Sequence, residues 1–182
     1  MHVLLINGSP HEKGCTYTAL SLVAGELNAA GITTEILNVG TKPVGGCIGC
    51  GGCAKGNGCV FGGVVNEAIE KAKTADAFVF GTPVHYASAS GNMTSFMDRL
   101  AYAGGKYLAY KPAAICCSAR RAGTTTTLDQ LVKYPEFFHM PLVSGSYWPM
   151  VHGSNPEQVL QDEEGCAVMK ELGRNMAWLL QC

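Results

Sequence analysis

Charge is scarce in this chain. Asp, Glu, Lys and Arg make up 15% of the 182 residues and balance to −1, so no basic footprint is offered to nucleic acid or to an anionic membrane surface. Long apolar runs are missing too, and no stretch approaches the roughly 20 apolar residues that a spanning helix requires. The opening segment, His2–Asn7, has no cationic flank and is too short for an export signal. It reads as a first β-strand, and the protein as cytoplasmic. Repeats, charge blocks and linkers are absent as well, which leaves a single domain over residues 1–182. The 47% of hydrophobic residues can fill the sizeable core that this length allows.

Apolar runs alternate with helical patterns. After His2–Asn7 comes a helix from about Thr16 to Ala30, with Leu20, Val23, Ala24 and Leu27 on one face. Ile32–Val39 is extended, and Val64–Thr74 is helical. Asp76–Gly81 contains Ala77-Phe78-Val79-Phe80, the continuous apolar run of a strand covered on both faces. Asn92–Ala103 is a helix and Ala113–Cys117 a strand. A further helix from Thr124 is closed by Pro135. Met140–Ser144 is the fifth strand, and Glu157–Gln181 a long last helix. This order predicts an α/β fold, a doubly wound five-stranded parallel sheet with helices on both faces. An eight-stranded barrel would need about 250 residues. Ligands of such sheets bind beyond the carboxyl ends of the strands, near the switch in strand order, which singles out the loops after strands one, three and four.

The first of these loops, Asn7-Gly8-Ser9-Pro10-His11-Glu12-Lys13-Gly14-Cys15-Thr16, runs from a strand straight into a helix N-terminus. Free amides and the helix dipole favour an anion there, and Ser9 and Thr16 can add hydroxyl donors. It is no Walker A loop, since Gly14 is followed by Cys, and no phosphatase loop, since no Arg stands six positions after Cys15. The plain alternative is a strand–helix turn capped by Thr16. In Gly81-Thr82-Pro83-Val84-His85-Tyr86, Pro83 stiffens the exit and Tyr86 supplies an aromatic face for a planar ligand. The fourth-strand loop, Ser118-Ala119-Arg120-Arg121-Ala122-Gly123, pairs two cations with small residues, which suits an anionic or ring-bearing ligand or a solvated charge pair.

Taken together, Gly8-Ser9-Pro10, Gly14-Cys15-Thr16, Gly81-Thr82-Pro83-Val84, Phe96-Met97-Asp98-Arg99 and Ser146-Tyr147-Trp148 resemble the NAD(P)H-dependent FMN reductase and iron–sulfur flavoprotein family. The resemblance covers nearly the whole chain in order. It implies a flavodoxin-like fold, bound FMN and a homodimer or homotetramer. It also implies that Ser9, His11, Cys15 and Thr16 cradle the FMN phosphate. Thr82, Pro83, Val84, His85 and Tyr86 would line the ribityl chain and ring, and Ser118, Arg120, Arg121 and Gly123 would close the other side. Asp98 and Arg99 read as a structural tie between neighbouring elements. Two departures stand out. His11 replaces the Arg that the family often places after Ser-Pro, and Gly62-Gly63 stands where it often carries two acidic residues.

The nine cysteines fall at 15, 47, 50, 53, 59, 116, 117, 166 and 182. An odd number without an export signal is a poor disulfide framework, and the scattered ones read mostly as small core residues. Cys47, Cys50, Cys53 and Cys59 lie within thirteen residues, among glycines that permit tight turns. The spacing resembles the 4Fe–4S motif of the iron–sulfur flavoproteins. Other readings stay open: a zinc site, although two separated CxxC knuckles are the commoner pattern; redox-active thiols; or a loop packed at a subunit interface without metal. An empty loop would need a neighbouring subunit or a disulfide to order it. The pattern Gly49-Cys-Gly51-Gly-Cys-Ala54 is not a dinucleotide fingerprint, because no strand precedes it.

The implied activity is transfer of electrons from NAD(P)H through FMN to a quinone, flavin or protein acceptor. Hydride transfer to the flavin N5 needs no side-chain acid or base, so no catalytic side chain is assigned. The rival is a non-enzymatic electron-transfer flavoprotein carrying single electrons between partner proteins.

Overall fold

Val3, Leu4, Leu5 and Ile6 send side chains alternately to two faces, and both faces are covered. β1 (His2–Asn7) is buried from Val3 onward. In the computed structural model, which describes residues 1–182, β1 lies in parallel between β2 (Thr33–Asn38) and β3 (Ala77–His85). β3 turns back at its end into the two-residue antiparallel β4 (Ser88–Ala89). Earlier in its length it pairs in parallel with β5 (Ala113–Ala119), which pairs in parallel with β6 (Met150–His152). The order β2-β1-β3-β5-β6 is that of a doubly wound parallel sheet whose switch point falls between β1 and β3. Five parallel strands make up the sheet, as expected in number, with β4 as a short addition.

The helices are α1 (Cys15–Ala29), α2 (Val64–Ala72), α3 (Gly91–Gly104), α4 (Thr124–Phe137), α5 (Pro156–Gln161) and α6 (Glu163–Gln181). On one face α2, α3 and α4 pack over Leu4, Ile6, Phe78, Phe80 and Ile115. On the other, α1, α5 and α6 pack over Val3, Leu5, Val79 and Ala114. The two-residue period of a strand sends neighbouring side chains to opposite cores. Cys116 and Cys117 are fully buried within β5. Burial pushes the Cys116 thiol up to about 12 and raises that of Cys117 as well, so both act as neutral core residues.

Three expectations are corrected. The run Met140–Ser144 is not the fifth strand. It makes one parallel bridge, Leu142 to Ala113, with Val143 N–H donating to Ala113 O at 2.8 Å. The chain then bulges outward and rejoins β5 as β6. Pro141 and Pro149 lack the N–H of a continuous ladder and serve it only as acceptors, from the amides of Ala113 and Cys117. The last helix is two helices, because Asp162 breaks it: Oδ1 accepts from Gly165 N–H at 3.0 Å and caps α6, while Oδ2 accepts from His152 N–H at 2.7 Å. Finally, α4 continues two residues past Pro135, its last turn closed by Phe138 N–H on Tyr134 O.

Candidate functional site

β1 ends at Asn7, opposite Gly81 of β3, while β3 runs on to His85. Buried Asn7 organises the first loop: its Oδ1 accepts from Ser9 N–H at 3.1 Å, and its Nδ2 donates to Glu12 O at 3.2 Å and Asn38 Oδ1 at 2.8 Å. Ser9 Oγ accepts from His11 N–H at 3.1 Å, which leaves the serine proton free to donate. Gly14 is the N-cap of α1, without a side-chain cap and with no acidic residue in the first turn. Contrast α3, α5 and α6, capped by Ser90, Asn155 and Asp162. The first-turn amides and the positive dipole end of α1 therefore face the open loop. Thr16 is not the cap. It is buried in the first turn, 2.8 Å from Ser118 Oγ at the end of β5. The two hydroxyls share one hydrogen bond, so one proton between them remains to donate. Cys15 Sγ donates to Gly153 O at 3.6 Å, and burial raises its thiol pKa, so the sulfur is neutral.

The second loop is locked to the first. Buried Thr82 Oγ1 accepts from Ser90 N–H at 3.1 Å, and Ser90 Oγ donates to Gly8 O at 2.8 Å while capping α3 through Met93 N–H. Pro83 and Val84 belong to the end of β3 rather than to a loop. The turn beyond holds Tyr86 (φ 52°) and Ala87 (φ 59°) in the left-handed region, a strained state for residues with a Cβ. α4 holds it there: Thr126 Oγ1 donates to Ala87 O at 2.9 Å, and Gln130 Oε1 accepts from Ala89 N–H at 2.9 Å and Ser88 Oγ at 2.8 Å. Gly123, at φ 93°, lies so close that a Cβ there would stand 2.7 Å from Ala87 Cα.

Hydrogen bonds and contacts thus bring Ser9, Thr16, Thr82, Ser118 and Gly123 to one corner. His11, His85, Tyr86, Arg120 and Arg121 stand exposed at its rim. Their side chains are not bonded to the buried hydroxyls, and neither arginine makes an ion pair. The hydroxyls of Ser9, Thr16 and Ser118 and the uncapped first turn of α1 are the donor chemistry that a phosphate takes. The Tyr86 turn and the Arg120–Gly123 loop lie side by side at this rim, in contact through Ala87 and Gly123.

Asn92 anchors the start of the cysteine loop, donating from Nδ2 to Gly40 O at 2.9 Å and Lys42 O at 3.1 Å, and accepting at Oδ1 from Val44 N–H at 3.1 Å. Asn66 grips its far end, accepting from Cys59 N–H at 2.8 Å and donating to Cys59 O at 3.0 Å. Gly49 (φ 64°) and Gly51 (φ 68°) supply the left-handed turns between. Within the chain these bonds hold both ends of the loop, and all nine cysteines are free thiols. Cys47, Cys50, Cys53 and Cys59 line one cavity of about 260 Å³ together with Phe61 and Arg99. No group of three or more His, Cys, Asp or Glu side chains is arranged to hold a metal ion. Four thiols lining one cavity are the donor chemistry that an iron–sulfur cluster takes.

Asp98 and Arg99 do tie elements together, in opposite directions. Asp98 Oδ1 accepts from Tyr134 O–H at 2.5 Å, joining α3 to α4, and burial with this carboxylate raises the tyrosine pKa. Arg99 reaches the cysteine loop, donating from Nε to Cys59 Sγ at 3.2 Å. Asn7, Asn66, Asn92 and Gln130 were not foreseen as organisers, and nothing local marks them. Ser90 had a signal, a serine directly before a helical pattern.

The family model described as NADPH-dependent FMN reductase matches residues 1–155, which include every loop described above. An iron–sulfur flavoprotein of Methanocaldococcus jannaschii is 28% identical over 186 residues, covering 97% of this chain and 96% of that protein. Another, of Archaeoglobus fulgidus, is 29% identical over 175 residues, covering 94% and 86%. Among solved structures, a flavodoxin from the domain Archaea aligns over 100% of both chains with a TM-score of 0.67 at 12% identity, a likeness of fold.

Proposed function

This chain belongs to the NADPH-dependent FMN reductase family, and from that membership we propose that it passes electrons from NAD(P)H through bound FMN to a quinone, flavin or protein acceptor, with a 4Fe–4S cluster in the cysteine loop. The observation that carries the reading is the uncapped N-terminus of α1 at the β1–β3 switch point, ringed by Ser9, Thr16 and Ser118. The amides of Cys15, Thr16 and Tyr17 and the spare hydroxyl protons hold the phosphate, which compensates for the missing arginine at His11. The Tyr86 turn and the Arg120–Gly123 loop flank the ring, and the two unpaired arginines meet an anionic edge or a nucleotide phosphate. Bound there, FMN would supply hydride and single-electron chemistry. Cys47, Cys50, Cys53 and Cys59 supply thiolates to a cluster that carries single electrons. Arg99 lies nine residues after Ser90 on α3, so the cysteine cavity is about 14 Å along the helix that seals the flavin corner.

Anaerobically prepared protein is expected to lose its flavin absorbance on addition of NAD(P)H and to turn over when a quinone or free flavin is supplied. Flavin reduction by ferredoxin alone would overturn the reductase reading in favour of an electron carrier. Nine free thiols suit a reducing cytoplasm, and no helix is long and apolar enough to cross a membrane. The assembly proposed is a homodimer or homotetramer, supported by exposed Ile48, Val60, Phe61, Tyr102 and Phe137 beside the cysteine loop and on α3 and α4. Sedimentation at micromolar concentration is expected to give a multiple of 19.2 kDa. A clean monomer would contradict it.

A further inference from the structure

Arg99 is a buried cation without a carboxylate. Only 6% of it is exposed. Its guanidinium donates from Nε to Cys59 Sγ at 3.2 Å, from Nη1 to Gly45 O at 3.3 Å and from Nη2 to Gly62 O at 3.0 Å, and lies 5.4 Å from the Phe61 ring centre. It is in none of the ion pairs of the fold. The neighbouring carboxylate, Asp98, is turned away and engaged by Tyr134. The whole segment from Gly40 to Gly63 has no Asp or Glu, while Lys42 and Lys55 add further positive charge. A guanidinium stays protonated at any accessible pH, and a buried one is costly unless something negative faces it. Within bonding distance, the group able to become an anion is the sulfur of Cys59.

We infer that Arg99 is the built-in counter-charge of the cysteine loop, and that its bond to Cys59 sets the reduction potential of the cluster held there. The inference rests on the cluster reading proposed above. Four thiolates around an iron–sulfur core leave the site net negative. Uptake of one electron, from the reduced flavin in the proposed reaction, adds one more negative charge. No proton need follow, because Arg99 is already charged. A fixed positive charge at hydrogen-bonding distance stabilises the reduced form more than the oxidised one and so raises the potential. Asn66 holds the backbone of Cys59 independently, through two bonds of 2.8 and 3.0 Å. The charge of Arg99 is therefore separable from the placing of the thiol, and Arg99 is a positioning and tuning residue rather than a ligand.

The test uses full-length protein reconstituted anaerobically with iron and sulfide, comparing wild type with R99K, R99Q and R99M. Iron, sulfide and flavin contents are measured, and the cluster is titrated with dithionite against redox mediators by electron paramagnetic resonance. In R99Q and R99M the reduced-to-oxidised ratio at a fixed poise is expected to fall about tenfold, which is 59 mV for a one-electron couple. R99K is expected to recover most of that shift. Should the neutral variants lose iron while R99K keeps it, the charge requirement is equally supported. Unchanged potentials in iron-replete R99Q and R99M would overturn the inference. So would loss of iron from R99K along with the others, which would make Arg99 only a mechanical tie. Wild type that takes up no cluster would overturn the cluster reading itself and this inference with it, whereas a wild-type cluster with unmoved potentials sinks the inference alone.

Discussion

Replacement of Cys59 by Ser is expected to strip most of the iron from anaerobically prepared protein while FMN stays bound. Changes in the outer shell of a metal site cost roughly 10–100-fold in affinity, and loss of a ligand costs more. Of the four candidate ligands, Cys59 is the one fixed on two sides, by the Asn66 clamp on its backbone and by the Arg99 guanidinium on its sulfur. Its replacement removes a thiolate, the anion that faces the buried cation and the best-placed corner of the cavity together. Cys47 and Cys50 are exposed, so the loop can shift more readily around a Ser there, and iron retention is expected to be higher. Flavin occupancy is expected to be insulated from all of these changes, because the phosphate corner proposed at Ser9, Thr16 and Ser118 lies at the other end of α3. Iron and sulfide analysis beside the flavin spectrum checks the result. If wild-type protein is iron-free yet fully active, the replacement acts through packing alone, at about 1 kcal/mol, and the cluster reading is lost.

Introducing acids at Ser9 and Thr16 is expected to release the flavin. The corner now presents first-turn amides and spare hydroxyl protons, with no acidic residue in the first turn of α1. Two carboxylates would meet the phosphate at close range. At about 4 Å and an effective dielectric near 20, each like-charge contact costs about 4 kcal/mol, close to a thousandfold in Kd. Thr16 is 1% exposed, so an acid there could also disturb the first turn. Thr16→Val, which keeps the shape and removes the hydroxyl, separates the two effects. It leaves the Ser118 hydroxyl without its 2.8 Å partner and is expected to weaken FMN by about tenfold, the worth of one hydrogen bond, with the fold intact by circular dichroism. Desalting followed by flavin absorbance reads both variants. Full flavin occupancy in the doubly acidic protein would place the phosphate elsewhere.

How much of this was legible in advance depended on range. The loop from Gly8 to Thr16 could be read because its chemistry is local: a strand, a glycine, two hydroxyls and a helix N-terminus follow one another within ten residues. The four cysteines were legible for the same reason, as a density of thiols. Ser118 was anticipated at the ring, but its bond to Thr16 spans 102 positions, and no local pattern encodes it. The same holds for Arg99, whose neighbours in sequence mark a helix while its bonding partner Cys59 lies 40 positions away. Asn66 and Asn92 read as ordinary helix residues until the loop is laid against them.

The misread elements divide in the same way. Met140–Ser144 has the composition of a strand, but whether an apolar run becomes one depends on the N–H and C=O groups of its neighbour. Here β5 engages it for one bridge only and takes Met150–His152 further on. Asp162 interrupts a continuous helical pattern because its two carboxylate oxygens find Gly165 and His152, and the second of these is a tertiary contact. The alternation of apolar runs and amphipathic stretches was sufficient for the parallel sheet, its two covered faces and the edge at which ligands gather, since burial of apolar surface depends on pattern more than on particular partners. The hydrogen bonds that join the loops, the strained turn at Tyr86 and the buried charge at Cys59 were settled by folding. Each is a directional contact between residues far apart in the chain, and its geometry exists only once the sheet has brought them together.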